Sequence, residues 1–110
     1  MVSDLGLHAD DLRRVQEGLR YCVERGTAKV LQLSEGVFAK TGTAEVGKHK
    51  ENNAWLAGYL DQGGAKLAFA CVLYFVPDGS YGARAAGPMF VEFLAGLRRD
   101  DVLRKEYLQR

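Results

Sequence analysis

Residues 54 to 76, AWLAGYLDQGGAKLAFACVLYFV, hold two apolar segments joined by a polar turn that contains two glycines. The first segment, Ala54 to Leu60, is predicted to be a β-strand, which places Trp55, Ala57 and Tyr59 on one side and Leu56, Gly58 and Leu60 on the other. Asp61-Gln62-Gly63-Gly64 is typical of a hairpin turn, because consecutive glycines adopt the positive φ values of tight turns. The second segment, Leu67 to Val76, is apolar at odd and even positions, so we expect a central strand that is buried on both faces.

The sequence before this pair predicts a helix and one more strand. The helix runs from Asp10 to Arg25, because apolar residues recur there at helical spacing on one side and charged residues occupy the other. Gly26 then suits a left-handed helix end. A strand from Val37 to about Val46 follows and ends in a polar stretch. Its position next to the pair favours an antiparallel meander.

A second amphipathic helix follows the strands. Its apolar positions run from Ala86 to Leu97, and Pro88 either starts or kinks the helix because it lacks an amide hydrogen. The tail, residues 98–110, has the pattern for one or two further helical turns. The order of helix, three strands and helix predicts an α+β fold, an antiparallel three-strand meander with flanking helices.

Size and composition narrow the class of protein. The 110 residues allow one domain, and 15 Lys plus Arg against 14 Asp plus Glu give a net charge of +1, so no overall field favours nucleic acid. The first six residues do not resemble a signal peptide, and the ten-residue apolar run is too short to span a membrane. Cys22 and Cys71 have no metal-ligand spacing, and His8 and His49 are expected in exposed loops. We therefore expect no metal site and no cofactor.

The segment that favours a specific chemistry is Lys40-Thr41-Gly42-Thr43, within the strand from Val37. In a strand Thr41 and Thr43 project to the same face, so two hydroxyls converge on one carboxylate while Lys40 supplies positive charge. Gly42 has no side chain to keep another backbone away. If the strand lies at the sheet edge, an extended peptide can add to it. The alternative is that these residues only cover an edge strand, where lysine and threonine are common.

Four segments together closely resemble the transpeptidase domain of penicillin-binding proteins, near its C-terminal end, over about residues 7 to 97. They are Gly18-Leu19-Arg20 with Val23 and Gly26-Thr27-Ala28; Lys40-Thr41-Gly42-Thr43-Ala44-Glu45; Ala54-Trp55-Leu56-Ala57-Gly58-Tyr59; and Ala83-Arg84-Ala85-Ala86-Gly87-Pro88-Met89-Phe90. The resemblance implies a serine D,D-transpeptidase of bacterial cell-wall synthesis, with the fold shared by serine β-lactamases. Its ligands would be the peptidoglycan stem peptide and β-lactams.

The resemblance also implies roles for the motif, which is the third active-site motif of such enzymes. Lys40 would support the electrostatics and proton handling at the nucleophile. Thr41, Gly42 and Thr43 would bind substrate, with the two hydroxyls on its terminal carboxylate. The backbone amide of Thr43 would form part of the oxyanion hole.

The other two motifs of that family are missing from the sequence. Ser3, Ser34 and Ser80 are followed three positions on by Gly6, Val37 and Ala83, so no Ser-x-x-Lys is present. None of them starts a Ser-x-Asn either. We therefore expect residues 1–110 to be the C-terminal portion of a transpeptidase domain, inactive by itself, with the nucleophile on another segment.

Partners and location follow as expectations. The chain should associate with the remainder of the domain or with a second copy, and not with nucleic acid. The resemblance implies the periplasmic or extracytoplasmic face of the cell membrane. Aromatic side chains on the strands are expected in the core: Trp55, Tyr59, Phe69, Tyr74 and Phe75. The alternative function is a non-catalytic domain that binds a peptide or partner through the edge strand.

Overall fold

A computed structural model describes residues 4–31, 36–46, 51–62, 65–76 and 82–108 of the chain. The main elements are α1 (Ala9–Arg25), β1 (Val37–Val46), β2 (Glu51–Gln62), β3 (Ala65–Val76) and α2 (Gly82–Arg99). A 3₁₀ turn, Lys29–Leu31, follows α1, and α3 (Asp101–Leu103) with a π-helical turn, Arg104–Leu108, follows α2. The predicted α+β fold is confirmed, and the tail forms the short helical turns expected of it.

Local interactions fix the ends of α1. The His8 Nδ1 atom accepts a hydrogen bond from the Asp10 amide, and two acidic residues in the first turn complement the helix dipole. Gly26 ends the helix, as predicted, but with φ −110° and so not in the left-handed conformation. Its small size is needed for another reason, since an added Cβ would lie 2.9 Å from Cys22 Cα.

The three strands form one antiparallel sheet in the order β1-β2-β3. β2 is the middle strand, so the prediction that Leu67 to Val76 forms the central strand is wrong. Apolar residues at odd and even positions do not give β3 two covered faces here: Phe69 stacks on Phe90 of α2, whereas Ala68 and Ala70 of the other face are exposed. Within the described ranges, no strand pairs with the outer edge of β3.

The core lies on one face of this sheet, and both long helices contribute to it. Its buried members are Cys22, Val23, Ala28, Leu31, Val37, Ala39, Leu56, Leu60, Ala86, Phe90 and Leu94. Gly58, on the same face of β2, approaches β1 so closely that a Cβ there would collide with the Phe38 carbonyl oxygen. The meander thus depends on a glycine at this position.

The expectation that all the strand aromatics lie in the core is wrong except for Phe69. Tyr59 stacks on Phe38 on the sheet face opposite the core. Trp55, Tyr74 and Phe75 have 40%, 64% and 67% of their surface exposed. Trp55 projects from the sheet face opposite the core. Phe75 lies within a shift in the β2–β3 register and has a positive φ of 55°, with its amide donating to Asn53 Oδ1. Alternation places side chains on a face, but it does not say whether that face is covered.

α2 begins four residues earlier than the sequence pattern predicted and contains Pro88 in its interior. The first alternative, that Pro88 starts the helix, is therefore wrong. Gly87 allows close packing on the 3₁₀ turn, because a Cβ there would collide with Val30 Cγ1. In the part of the chain that the structure describes, no helix is both long and apolar enough to cross a membrane.

Candidate functional site

The Lys40-Thr41-Gly42-Thr43 segment lies in the middle of β1, at one edge of the sheet. Its four residues face Ala57, Leu56, Trp55 and Ala54 of β2 in that order. Among the described residues no strand adds to the other side of β1. The edge position expected for this segment is therefore the one observed.

One hydrogen bond shows which main-chain groups of β1 are directed outward. The Asp61 amide donates to the Gly36 carbonyl at 2.8 Å, so Gly36 and Asp61 are a hydrogen-bonded pair. In an antiparallel ladder such pairs alternate with pairs that do not bond to each other. The unbroken register from Val37 to Val46 then directs the main-chain groups of Thr41 and Thr43 away from β2. Those of Lys40 and Gly42 are directed toward β2.

The side chains of the motif divide between the two faces of the sheet. Thr41 and Thr43 continue the row of Val37 and Ala39, as the strand period predicted. Burial decreases along this row: Val37 and Ala39 are buried, Thr41 is half-buried and Thr43 is exposed. The motif therefore begins where the core ends.

Lys40 is exposed on the opposite face, yet its ammonium group returns to the strand edge. Its Nζ atom donates to the Thr41 carbonyl oxygen at 3.0 Å. That carbonyl is one of the outward-directed groups. The positive charge consequently lies beside the edge on which an added peptide would bind.

The Thr41 hydroxyl belongs to a chain of hydrogen bonds that sequence reasoning did not predict. Its Oγ1 donates to Thr27 Oγ1 at 2.7 Å, and Thr27 Oγ1 lies 3.3 Å from Cys22 Sγ. Thr27 follows the end of α1 and was noted only within the Gly26-Thr27-Ala28 segment. No local pattern signals its contact with Thr41, because the two residues are 14 positions apart.

Gly42 is not required by the packing of the sheet. A Cβ at this position would lie 3.6 Å from Trp55 Cβ, an ordinary van der Waals distance, with no other close neighbour. The contrast with Gly58 is direct, since Gly58 has no room for a Cβ. The fold thus leaves open space at the glycine of the motif.

An arginine of α1 attaches the helix to the same edge. Arg20 Nη1 donates to the Val37 carbonyl oxygen at 2.9 Å, and its Nε bonds Glu24 Oε1 at 3.0 Å. The main-chain groups of Val37, like those of Thr41 and Thr43, are directed away from β2. The helix therefore covers the start of the β1 edge before the motif.

The remaining candidate groups within the described ranges do not form a second site. His8 is exposed and caps α1, and the basic residues Lys48, His49 and Lys50 lie outside the described residues. No group of metal-binding side chains occurs among the residues that the structure covers. Both cysteines are free thiols, and burial raises the pKa of Cys71.

A groove of about 560 Å³ lies at the other edge of the sheet. β3, α2 and the C-terminal turns line it, with Phe69, Cys71, Phe90 and Tyr107 among its residues. This surface is almost entirely apolar. Its lining residues carry no charged group, in contrast to the β1 edge with Lys40.

One known family matches most of the chain. The family model of the penicillin binding protein transpeptidase domain matches residues 3–95. The chain therefore belongs to the penicillin-binding protein transpeptidase family. No curated protein and no solved structure matches it.

Proposed function

We propose that the chain supplies the Lys-Thr-Gly strand to the active site of a peptidoglycan D,D-transpeptidase, and that the serine nucleophile comes from another polypeptide segment. The observation that carries the proposal is the position of the motif in a transpeptidase-family chain. It lies on an edge strand where the core ends, with the main chain of Thr41 and Thr43 directed outward.

Substrate binding at this edge uses main-chain and side-chain groups together. The stem peptide lies along β1 as an added strand, and the open space at Gly42 lets its backbone approach closely. Hydroxyls of Thr41 and Thr43 on one face donate to its terminal carboxylate. The Lys40 ammonium group adds the opposite charge at the same edge.

The reaction itself is an acyl transfer. A serine oxygen attacks the carbonyl carbon, the carbon–nitrogen bond breaks, and the leaving nitrogen takes up the proton that the serine loses. Negative charge develops on the carbonyl oxygen in this step. The Thr43 amide donates to it, and a donor at such a position contributes roughly 3 to 4 kcal/mol. β-Lactams acylate the same serine.

The surroundings of the chain are part of the proposal. A peptidoglycan substrate places it on the periplasmic or extracytoplasmic face of a bacterial membrane. The nucleophile segment would belong to the remainder of the transpeptidase domain. The outer edge of β3 supports association with that remainder or with a second copy, because exposed Tyr74 and Phe75 lie on a strand whose outer edge no other described strand pairs with.

The test is labelling with a fluorescent penicillin, read by gel and mass spectrometry. The chain alone should remain unlabelled, and a Ser-x-x-Lys polypeptide should be labelled faster when the chain is present. Lys40→Ala should abolish the acceleration. Lys66→Ala, which removes an exposed lysine of β3 instead, should preserve it. Covalent label on this chain would contradict the proposal.

The exposed β1 edge also supports a second candidate, a non-catalytic domain that binds a peptide or partner strand. The same experiment separates the two functions. Binding of extended peptides without acceleration of penicillin labelling on any Ser-x-x-Lys polypeptide would favour the binding domain. Sedimentation then shows whether the bound strand is a second copy of the chain.

A further inference from the structure

Three side chains connect the interior of the protein to the motif strand. Cys22 Sγ is buried at the end of α1, Thr27 Oγ1 lies 3.3 Å from it, and Thr41 Oγ1 lies 2.7 Å beyond. Each of these groups has one hydrogen to donate and also accepts. The chain of hydrogen bonds therefore has a direction, and that direction decides which atom carries a hydrogen toward the solvent.

In the structure the direction is inward. The Thr41 hydroxyl donates to Thr27, so its only hydrogen is not available to an anion at the strand edge. The contact between Thr27 and Cys22 can be formed with either atom as donor. If the thiol donates to Thr27, then Thr27 can donate to Thr41, and the Thr41 hydrogen is released toward the ligand.

We propose that Thr27 is a positioning residue for the carboxylate site, and that a bound carboxylate reverses this chain of hydrogen bonds. In the reversed state Cys22 donates to Thr27, Thr27 donates to Thr41, and Thr41 donates to the carboxylate. No hydrogen leaves its own oxygen or sulfur, because each one only rotates about its C–O or C–S bond. The proposal rests on the proposed function, since it requires a carboxylate at Thr41.

Reversal strengthens the bond to the anion for a physical reason. Hydrogen bonds in a row polarise one another when all of them are oriented alike. A Thr41 hydroxyl that accepts from Thr27 is a better donor than one without this support. A merely structural bond between Thr27 and Thr41 would hold the end of α1 to β1 and would affect charged and neutral ligands alike.

The test measures how strongly the full chain prefers a charged ligand. An acyl-D,D-dipeptide with a free carboxyl end and the same dipeptide as its amide are titrated, and the amide signals of Lys40 to Thr43 are followed by NMR. Thr27→Val removes the hydroxyl at similar size and should lower the carboxylate-to-amide affinity ratio about two- to ten-fold, the range for one neutral hydrogen bond. Thr27→Ser should restore the wild-type ratio.

Variants of the thiol keep the test independent of how Thr27→Val folds. Cys22→Ala removes the first donor and should lower the ratio in the same direction, whereas Cys22→Ser should not. If wild type shows no preference for the carboxylate, both the proposed carboxylate site and this proposal fail. The wild type can show the preference while Thr27→Val retains it or lowers the affinity for both ligands equally. In that case only the role of Thr27 is overturned.

Discussion

Arg20 of α1 donates to the main-chain carbonyl of Val37, 2.9 Å away, at the edge of the sheet that carries the motif. The bond joins a charged donor to an outward-directed carbonyl and is partly buried. It holds the helix against β1 three residues before Lys40. Its contribution to stability can be separated from that of ordinary surface ion pairs.

Arg20→Gln should lower the free energy of unfolding by about 1 to 2 kcal/mol, because hydrogen bonds to charged groups contribute more than neutral ones. Chemical denaturation measures the change. Arg13→Gln is the control, since Arg13 forms only exposed pairs with Asp10 and Glu17 at 3.6 and 3.9 Å, and such pairs contribute less than about 1 kcal/mol. Equal effects of the two variants would show that the bond to Val37 does not hold α1.

Gly58→Ala should destabilise the sheet by about 1 to 3 kcal/mol, because the new methyl group would force β1 and β2 apart. Gly96→Ala is the matched control. A Cβ at Gly96 meets nothing within 4 Å, so this helical substitution should stabilise the protein by up to about 1 kcal/mol. Thermal unfolding of both variants checks the prediction, and an unchanged midpoint for Gly58→Ala would contradict the close strand approach.

Gly42→Ala should keep or slightly raise stability, by up to about 1 kcal/mol, since the fold has room for the methyl group and alanine restricts the unfolded chain more than glycine does. The same variant should reduce the acceleration of penicillin labelling, because the methyl group occupies space at the ligand edge. Denaturation and labelling are measured on the same sample. Full labelling activity would show that ligands do not approach Gly42 closely.

Stability should fall as pH rises above about 9. Burial, and then the Asp61 carboxylate, raises the pKa of Tyr59 from its ordinary value of 10.0, against an opposing bond from Gln16, and burial raises that of Cys71 from 9.0. The folded state keeps these two protons to higher pH than the unfolded state does, so unfolding releases protons and is favoured by alkali.

The measurement compares the free energy of unfolding at pH 8 and pH 10.5. Tyr59→Phe and Cys71→Ala should each reduce the loss between the two values. Tyr21→Phe, which removes a more exposed hydroxyl, gives the comparison. A loss that is equally large after both substitutions would mean that other groups cause it.

Local sequence patterns predict much of the fold, and the predictions that were wrong have a common cause. α1 and β1 were predictable because periodicity, acidic first-turn residues and Gly26 act over a few neighbours. The position of β3 in the sheet was not predictable, because an apolar sequence shows that a strand can be buried but does not show which elements lie beside it. The same limit applies to Trp55 and Tyr74, whose exposure depends on which sheet face the helices cover.

In the motif too, some features could be predicted from the sequence and others could not. That Thr41 and Thr43 share a face follows from the strand period, and their edge position follows from the order of a meander. The bond from Thr41 to Thr27 required the return of the chain after α1 to the sheet, which no sequence spacing predicts. The outward direction of the Thr43 main chain follows from the phase of the β1–β2 ladder, which begins at the bond between Gly36 and Asp61.

That bond makes β1 sensitive to the parity of its length. One residue inserted between Gly36 and Lys40 would turn the lysine toward the core face and direct the Thr43 amide toward β2, although the sequence of the motif would be unchanged. Two inserted residues would restore both. Chains that carry Lys-Thr-Gly can therefore be divided by the number of residues between the motif and the first hydrogen bond of the strand ladder. Where that number is odd when it is even here, or even when it is odd here, the chain should be unable to direct the motif toward a ligand.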